Sequence, residues 1–240
     1  MRNYFMLKTL ILSFLVLSSH MKRSQFMIQD YPELVKYFAS KNPGHLLLFV
    51  LPLWYLSSKY MLLSEAYSGI IFVAFIIGAI YWTFLEYGIH RWIYHTHFKT
   101  RILSYFLGSF HLYHHKEVGD RRVYNSGFLM IYLVTPIVTS PILLVTRDLG
   151  IIGALVLGLS SAYFFYECVH FLIHYKKFNS GYLAYIQSYH FHHHDKAPNK
   201  NFGNTSHIWD FLLGTYDERY KTYKMPESSE KSLILVKKRS

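Results

Sequence analysis

Cysteine is nearly missing from this chain: Cys168 is the one thiol in 240 residues. That excludes a disulfide-stapled scaffold, and it excludes zinc modules and iron–sulfur centres built on cysteine. Charge is scarce too. Asp, Glu, Lys and Arg make up 16% of the residues, against about 25% in an ordinary soluble domain. Acids are the rarer sign, 14 against 25 Lys and Arg, for a net charge of +11. A disordered chain is excluded from the other side. Hydrophobic residues reach 52% and aromatics 19%, more apolar surface than an unfolded chain keeps in water. What is abundant is histidine, at 15 residues, in a chain about one domain long.

Long apolar runs give the frame. Residues 66–85 carry no charge over twenty positions, and a helix of that length reaches about 30 Å, the thickness of the hydrocarbon core. Residues 126–146 give a second run, interrupted only by Pro136 and Pro141, and residues 149–166 a third. Residues 46–63 give a fourth, with Pro52 inside and Lys59 near its end, where the stem can snorkel to the headgroups. The expectation is an all-α integral membrane fold of four spanning helices in two hairpins, with tight links at Ser64–Glu65 and Arg147–Asp148. The longer segments, 86–125 and 167–240, then share the opposite side. They hold 6 and 11 of the Lys and Arg residues, which points that side to the cytoplasm. The basic excess reads as attraction to anionic headgroups. No nucleic-acid partner is expected, because the basic residues are scattered and no recognition motif accompanies them.

The ends divide off by composition. Residues 1–44 hold an eleven-residue apolar run at 9–19, too short to span comfortably. It lacks the small-residue cleavage site of a signal peptide, so an interfacial helix or an additional span is expected. Residues 45–220 form the membrane domain and 221–240 a basic tail. Lys237 and Lys238 near its end resemble a dilysine retrieval signal, or else a basic tail at a membrane surface.

Twelve of the histidines fall in two stretches: His90, His95, His97, His111, His114 and His115, then His170, His174, His190, His192, His193 and His194. Two crossings separate the stretches, so both return to one side. His111–His115 and His190–His194 share the pattern H-x-x-H-H. On a helix, position i neighbours i+3 and i+4, and these last two diverge by about 100°. Each triplet can therefore send its final imidazoles toward two centres. His170 and His174 lie four apart on one face. His90 and His95 are five apart, which implies a helix end or bend between them. Imidazole suits iron, zinc, copper and nickel, and ten are too many for one ion; five for each of two ions is the natural division. His20 and His45 read as ordinary surface or core residues, and His97 and His192 lie off the pattern. His207 is ambiguous, in a segment expected to fold back near the site. Glu86 and Glu167 precede His90 and His170 by four and three residues. There a carboxylate can hold the far imidazole N–H, ligate a metal itself, or serve as a helix-end charge.

Three other classes fit less well. A metal transporter or storage protein predicts ionisable residues at the bilayer midplane, which the runs lack. A zinc hydrolase of the His-Glu-x-x-His type lacks its motif. A haem protein uses two histidines and leaves the surplus unexplained.

The segments EYGIHRWIYH (86–95), HLYHH (111–115), YECVHFLIH (166–174), YHFHHH (189–194) and NFGNTSHIWDFLLGTY (201–216) resemble the fatty acid hydroxylase/sterol desaturase superfamily of membrane-bound dinuclear metal enzymes. The order of spacings is most similar to the fatty acid 2-hydroxylase branch. The resemblance implies a cytoplasmic helical cap holding two iron ions on His90, His95, His111, His114, His115, His170, His174, His190, His193 and His194, with zinc possible in a purified sample. Its terminal signature falls on Trp209, Asp210, Gly214 and Thr215, with Asp210 orienting a ligand. It implies dioxygen, two electrons and hydroxylation of a fatty acyl chain on a membrane lipid; sterol oxidation or desaturation is the alternative within the superfamily. Several 2-hydroxylases carry an N-terminal haem domain, for which 44 residues are too few, so a separate donor is expected, such as a cytochrome or ferredoxin with its reductase. The expected site is the endoplasmic reticulum in a eukaryote or the inner membrane in a bacterium. The chain departs from the branch at His207 and over residues 120–128. Tyr94, Tyr113, Phe171, Tyr189 and Phe191 stand near the histidines, where they line a substrate channel or simply pack.

Overall fold

A computed structural model describes residues 42–96, 99–100, 109–125 and 128–233. The expected segment 1–44, with His20, falls almost wholly outside the described residues; His97 and the Lys237–Lys238 pair lie outside them too.

Helix α1 spans Pro43–Leu63 and starts at Asn42, whose side chain accepts the His45 N–H at 2.9 Å, with proline in its first turn. That pairing satisfies an amide the helix itself cannot. Helix α2 spans Ser68–Gly88 and runs on as a π-helical segment, Ile89–Tyr94. Helix α3 is Ser109–Lys116. Helix α4, Phe128–Thr139, passes into a 3-10 turn at Ser140–Leu144. Helix α5, Leu149–Tyr175, is capped by Asp148, whose carboxylate accepts from Gly150 and Ile151 N–H at 2.7 and 3.0 Å. Helix α6 is Gly181–Asp195; α7, Ile208–Leu212, and α8, Glu227–Ser232, are short.

Three helices are long and apolar enough to cross a membrane: Pro43–Leu63, Ser68–Tyr94 and Leu149–Tyr175. The fourth expected crossing is only a shorter apolar helix, Met130–Leu144. Pro136 lies inside α4 and Pro141 opens the 3-10 turn; proline removes an amide donor and crowds the preceding turn. The two expected hairpin links do lie together. Ser64 Oγ donates to Asp148 Oδ1 at 2.9 Å.

Helix α5 is the central post against which α1 and α2 pack. Leu46, Val50, Trp82, Ile131, Leu159 and Tyr163 form the main buried cluster, with the Trp82 ring 4.8 Å from that of Tyr163. Two glycines let α2 and α5 cross backbone to backbone. A Cβ on Gly78 would fall 2.1 Å from the Leu155 carbonyl oxygen, and one on Gly158 would fall 1.9 Å from that of Phe75. Without a hydrophobic drive between helices in lipid, such close contact is what holds them together. At the other end, the buried Gln187 fixes the α5–α6 turn. Its Nε2 donates to Ile173 O and Lys176 O, and its Oε1 accepts the Phe178 N–H.

Gly158→Ala is expected to destabilise the fold by about 1–3 kcal/mol, since the methyl meets backbone that cannot rotate away. Thermal unfolding of the detergent-solubilised protein checks this, with Gly181→Ala, where a Cβ meets open space but φ is +76°, as the contrasting case of pure backbone strain.

Candidate metal centre

The expected bend between His90 and His95 proves to be a change of helix type. The π-helical turn closes a hydrogen bond from His95 N to His90 O at 3.2 Å, an i→i+5 link. It brings two residues five apart to the same side, with ring centroids 5.1 Å apart.

The histidine side chains then sort into two groups. His90, His95, His111, His115 and His193 place ring nitrogens within 4.8 Å of one another, and so do His114, His174, His190 and His194. Each triplet is divided: His114 and His115 go to different groups, as do His193 and His194. Within the groups, Nε2 atoms face Nε2 atoms. His95–His111 is 3.1 Å, His111–His115 2.8 Å, His115–His193 3.2 Å, His174–His190 2.9 Å and His190–His194 2.9 Å. Ligands about 2.1 Å from a metal ion and at right angles around it are about 3.0 Å apart, so these spacings suit a shared ion. His170 stands beside the second group, its ring 4.8–4.9 Å from those of His114, His174 and His190. The groups adjoin where His115 and His194 stack at 4.0 Å.

Unsatisfied nitrogens supply a second test of fit. His90 Nδ1 lies 2.5 Å from Phe202 O and His170 Nδ1 2.6 Å from Tyr124 O, while both Nε2 atoms are buried with no partner. His193 Nδ1 pairs in the same way with Lys200 O at 2.6 Å. A carbonyl partner fixes the tautomer with its proton on Nδ1 and leaves the Nε2 lone pair for a metal. His114 has neither nitrogen paired. Buried orphans are rare and costly, and an all-imidazole donor set suits a divalent transition ion. The residues fit a pair of such ions.

The surroundings keep the rings neutral. Burial, then the neighbouring imidazoles, hold His111, His114, His115, His190 and His194 well below the ordinary histidine value. His193 is pushed down to about 3, chiefly by burial. A neutral ring is the ligating form.

The remaining site residues are placed as follows. Glu86 Oε1 accepts from the N–H groups of Asn204 and Thr205 at 2.5 and 2.8 Å, and its Oε2 from the Thr205 hydroxyl. It clamps the loop after α6, while the His90 N–H goes to Phe202. Glu167 Oε2 accepts from Asn125 Nδ2 at 2.6 Å. Asp210 accepts from Phe202 N, Gly203 N and the Thr215 hydroxyl at 2.7–2.8 Å. It thus acts on His90 through one peptide, holding the Phe202 amide whose carbonyl neighbour bonds the imidazole. His207 is exposed, faces Tyr185 and lies outside both groups. His192 is buried beside Asn201 and Tyr223, and His45 lies against Phe49. Of the five aromatics, Tyr94 stacks on His111 and borders a cavity. Tyr113 donates to Asp120, and Phe171 packs on Tyr124 and Tyr175. Tyr189 and Phe191 are fully buried.

The chain was then compared with known proteins. A family model described as fatty acid hydroxylase matches residues 75–215. A ceramide very long chain fatty acid hydroxylase of Schizosaccharomyces pombe is 31% identical over 145 residues, 59% of this chain and 41% of that protein. A dihydroceramide fatty acyl 2-hydroxylase of Arabidopsis thaliana is 31% identical over 65% of this chain and 67% of its own length. Mouse fatty acid 2-hydroxylase is 29% identical over 59% of this chain and 38% of its own length. The chain thus spans about two fifths of the fission-yeast and mouse relatives. A solved structure described as full-length scs7p, with only its hydroxylase domain visible, superposes with a TM-score of 0.61 at 22% identity, covering 73% of this chain and 67% of that one. This last likeness is one of fold.

Two measurements follow. Unfolded histidine protonates near its ordinary 6.5, and the folded rings only far below it, so acid drives protons onto the unfolded state. Stability of the metal-free protein is expected to be full above pH 6.5 and to drain away from there down to about pH 3, read by denaturant unfolding at stepped pH. Asp210→Ala frees the Phe202 loop and should weaken metal affinity about 10–100-fold, read by chelator competition.

Proposed function

The chain belongs to the fatty acid hydroxylase family, and from that premise we propose that it is a di-iron lipid hydroxylase. It inserts oxygen into a C–H bond of a membrane-borne fatty acyl chain, at the carbon next to the carbonyl. The observation that carries this reading is the convergence of histidines from four separate segments into two adjoining buried groups. The names of the relatives, fatty acid and ceramide hydroxylases, support it.

In this reading His90, His95, His111, His115 and His193 hold one ion, and His114, His170, His174, His190 and His194 hold the other. Bound iron supplies dioxygen activation: one oxygen atom enters the C–H bond and the other leaves as water, with two electrons and two protons from an external donor. That donor is a separate cytochrome or ferredoxin with its reductase. The chain's own residues supply the rest. Phe202, Tyr124 and Lys200 orient imidazoles through their carbonyl groups, while Glu86 and Asp210 hold the loop that carries Phe202. Burial keeps bulk water from the site. Pulling an acyl chain into water would cost about 0.8 kcal/mol per methylene, so a site beside spanning helices lets the tail stay in apolar surroundings. Residues 128–144, part α and part 3-10, reach about 28 Å by their rise and form the fourth crossing of the same domain. The histidine-bearing side faces the cytoplasm, as the distribution of Lys and Arg indicates. The host membrane is the endoplasmic reticulum in a eukaryote and the inner membrane in a bacterium.

Lipid mass spectrometry of cells with and without the protein tests this. The expected result is acyl chains heavier by one oxygen at C2, absent from cells expressing His114→Ala or His193→Ala, whose purified forms carry fewer than two ions per chain. Loss of two hydrogens from a sterol, or two ions retained in both variants, would overturn the reading.

A further inference from the structure

One cavity borders the first histidine group, lined in part by Trp82, Met130, Tyr166, His90, His111 and Asn204, with about 310 Å³ of empty space including its mouth. Its wall is mostly apolar, yet two of its lining residues carry polar atoms that nothing in the protein satisfies. Trp82 Nε1 and Asn204 Oδ1 are both buried without a hydrogen-bond partner, in side chains 2% and 3% exposed. Elsewhere in the fold comparable groups are paired. The indoles of Trp54 and Trp209 donate to Ser160 and Thr83 at 3.1 and 2.9 Å.

Neither orphan is free to look elsewhere. The Trp82 ring is wedged edge-on against Tyr163 and tilted against Tyr166, at 4.8 and 5.8 Å. Asn204 is held by its backbone N–H on Glu86, whose carboxylate is already fully used by Asn204 and Thr205. The indole N–H can only donate and Oδ1 can only accept. A group that matches both must offer an acceptor and a donor side by side, and it must be uncharged to enter beside the Glu86 carboxylate. An amide does so with its C=O and N–H. A carboxylate offers no donor and repels Glu86, and an ester lacks the N–H.

We propose that Trp82 and Asn204 hold the amide of an N-acyl lipid, Trp82 donating to the carbonyl oxygen and Asn204 accepting the amide N–H, and that this grip sets which acyl carbon meets the metals. The inference rests on the hydroxylase reading for its second half only. Because the cavity is shared with His90 and His111, an anchored carbonyl puts the adjoining carbon, C2, nearest the first group, and the chain beyond it runs along Met130 and Tyr166. Trp82 and Asn204 are positioning residues. A site that leaves a buried acceptor unpaired when the ligand lacks the N–H rejects that ligand far more strongly than a change in its apolar bulk would.

The test uses the full chain in detergent and two lipids that differ only in one linkage, an N-palmitoyl amide and the matching O-palmitoyl ester, each competing against a fluorescent lipid. The wild type is expected to prefer the amide by at least about tenfold. Asn204→Leu should bring that ratio close to one by weakening the amide alone. Trp82→Phe keeps the ring and removes the N–H, so it should weaken both lipids about five- to tenfold. In turnover, both variants should spread the new hydroxyl from C2 to neighbouring carbons while their metal content stays at the wild-type value. Equal affinity for amide and ester in the wild type, or an unchanged ratio in Asn204→Leu, would mean the pair binds a bridging water only and would overturn the proposal. So would hydroxylation confined to C2 in both variants, a result that leaves the hydroxylase reading standing. Selective amide binding with no oxidation in the wild type would do the reverse.

Discussion

Imidazole rings packed nitrogen to nitrogen make the central constraint of this protein. A neutral ring has one donor and one acceptor, and five rings that share one small space cannot pair with each other in full. The surplus lone pairs are tolerable only if something electron-poor gathers them. Water would relieve the crowding by protonating the rings, and burial forbids that. The rings therefore stay neutral, and the groups of 90–115 and 170–194 remain in ligating form. The rest of the fold keeps them in this state: α5 and α6 bring one set, the end of α2 and α3 the other, and the close glycine crossing of α2 on α5 fixes the distance between them.

Precision comes from a surrounding shell that is mostly backbone. Three rings are steered by carbonyl oxygens, at Phe202, Tyr124 and Lys200, and two of those carbonyls belong to the loop after α6. That loop would be loose by itself. Two buried carboxylates from distant places tie it down, Glu86 from α2 and Asp210 from α7, each accepting from consecutive backbone N–H groups. Asn201, at φ 58°, holds the loop's start by bonding to Asp217 in both directions, 2.7 and 3.0 Å. A charged oxygen bonding to backbone amides is stronger than a neutral pair, so a few acidic residues in an acid-poor chain do a large share of the positioning.

Much of this was legible beforehand, for physical reasons. Side-chain periodicity is written in the sequence, so the histidines, the division of each H-x-x-H-H triplet between two centres and three of the apolar spans could be read directly. The fourth run was overread, because hydropathy does not register what Pro136 and Pro141 do to helix length. The carbonyl partners of His90, His170 and His193 were invisible, since every residue has a carbonyl and its direction depends on the loop. For the same reason the spacing of Glu86 from His90 suggested a direct contact, while the fold spends that carboxylate on Asn204 and Thr205. Asn125 gave no signal at all: its role beside Glu167 exists only once α5 and the segment before α4 have met.

The π-turn at 89–94 has a consequence for how such a chain can change. It is equivalent to one residue inserted in an otherwise regular helix. Removing any single residue there would let the backbone relax to ordinary α geometry, a change the membrane-spanning part would scarcely register. All that follows, however, would be rotated by about 100° and drawn back by about 1.5 Å, carrying His95 away from its four companions. Substitutions in this turn are thus local events, whereas a lost codon resets the phase of everything downstream.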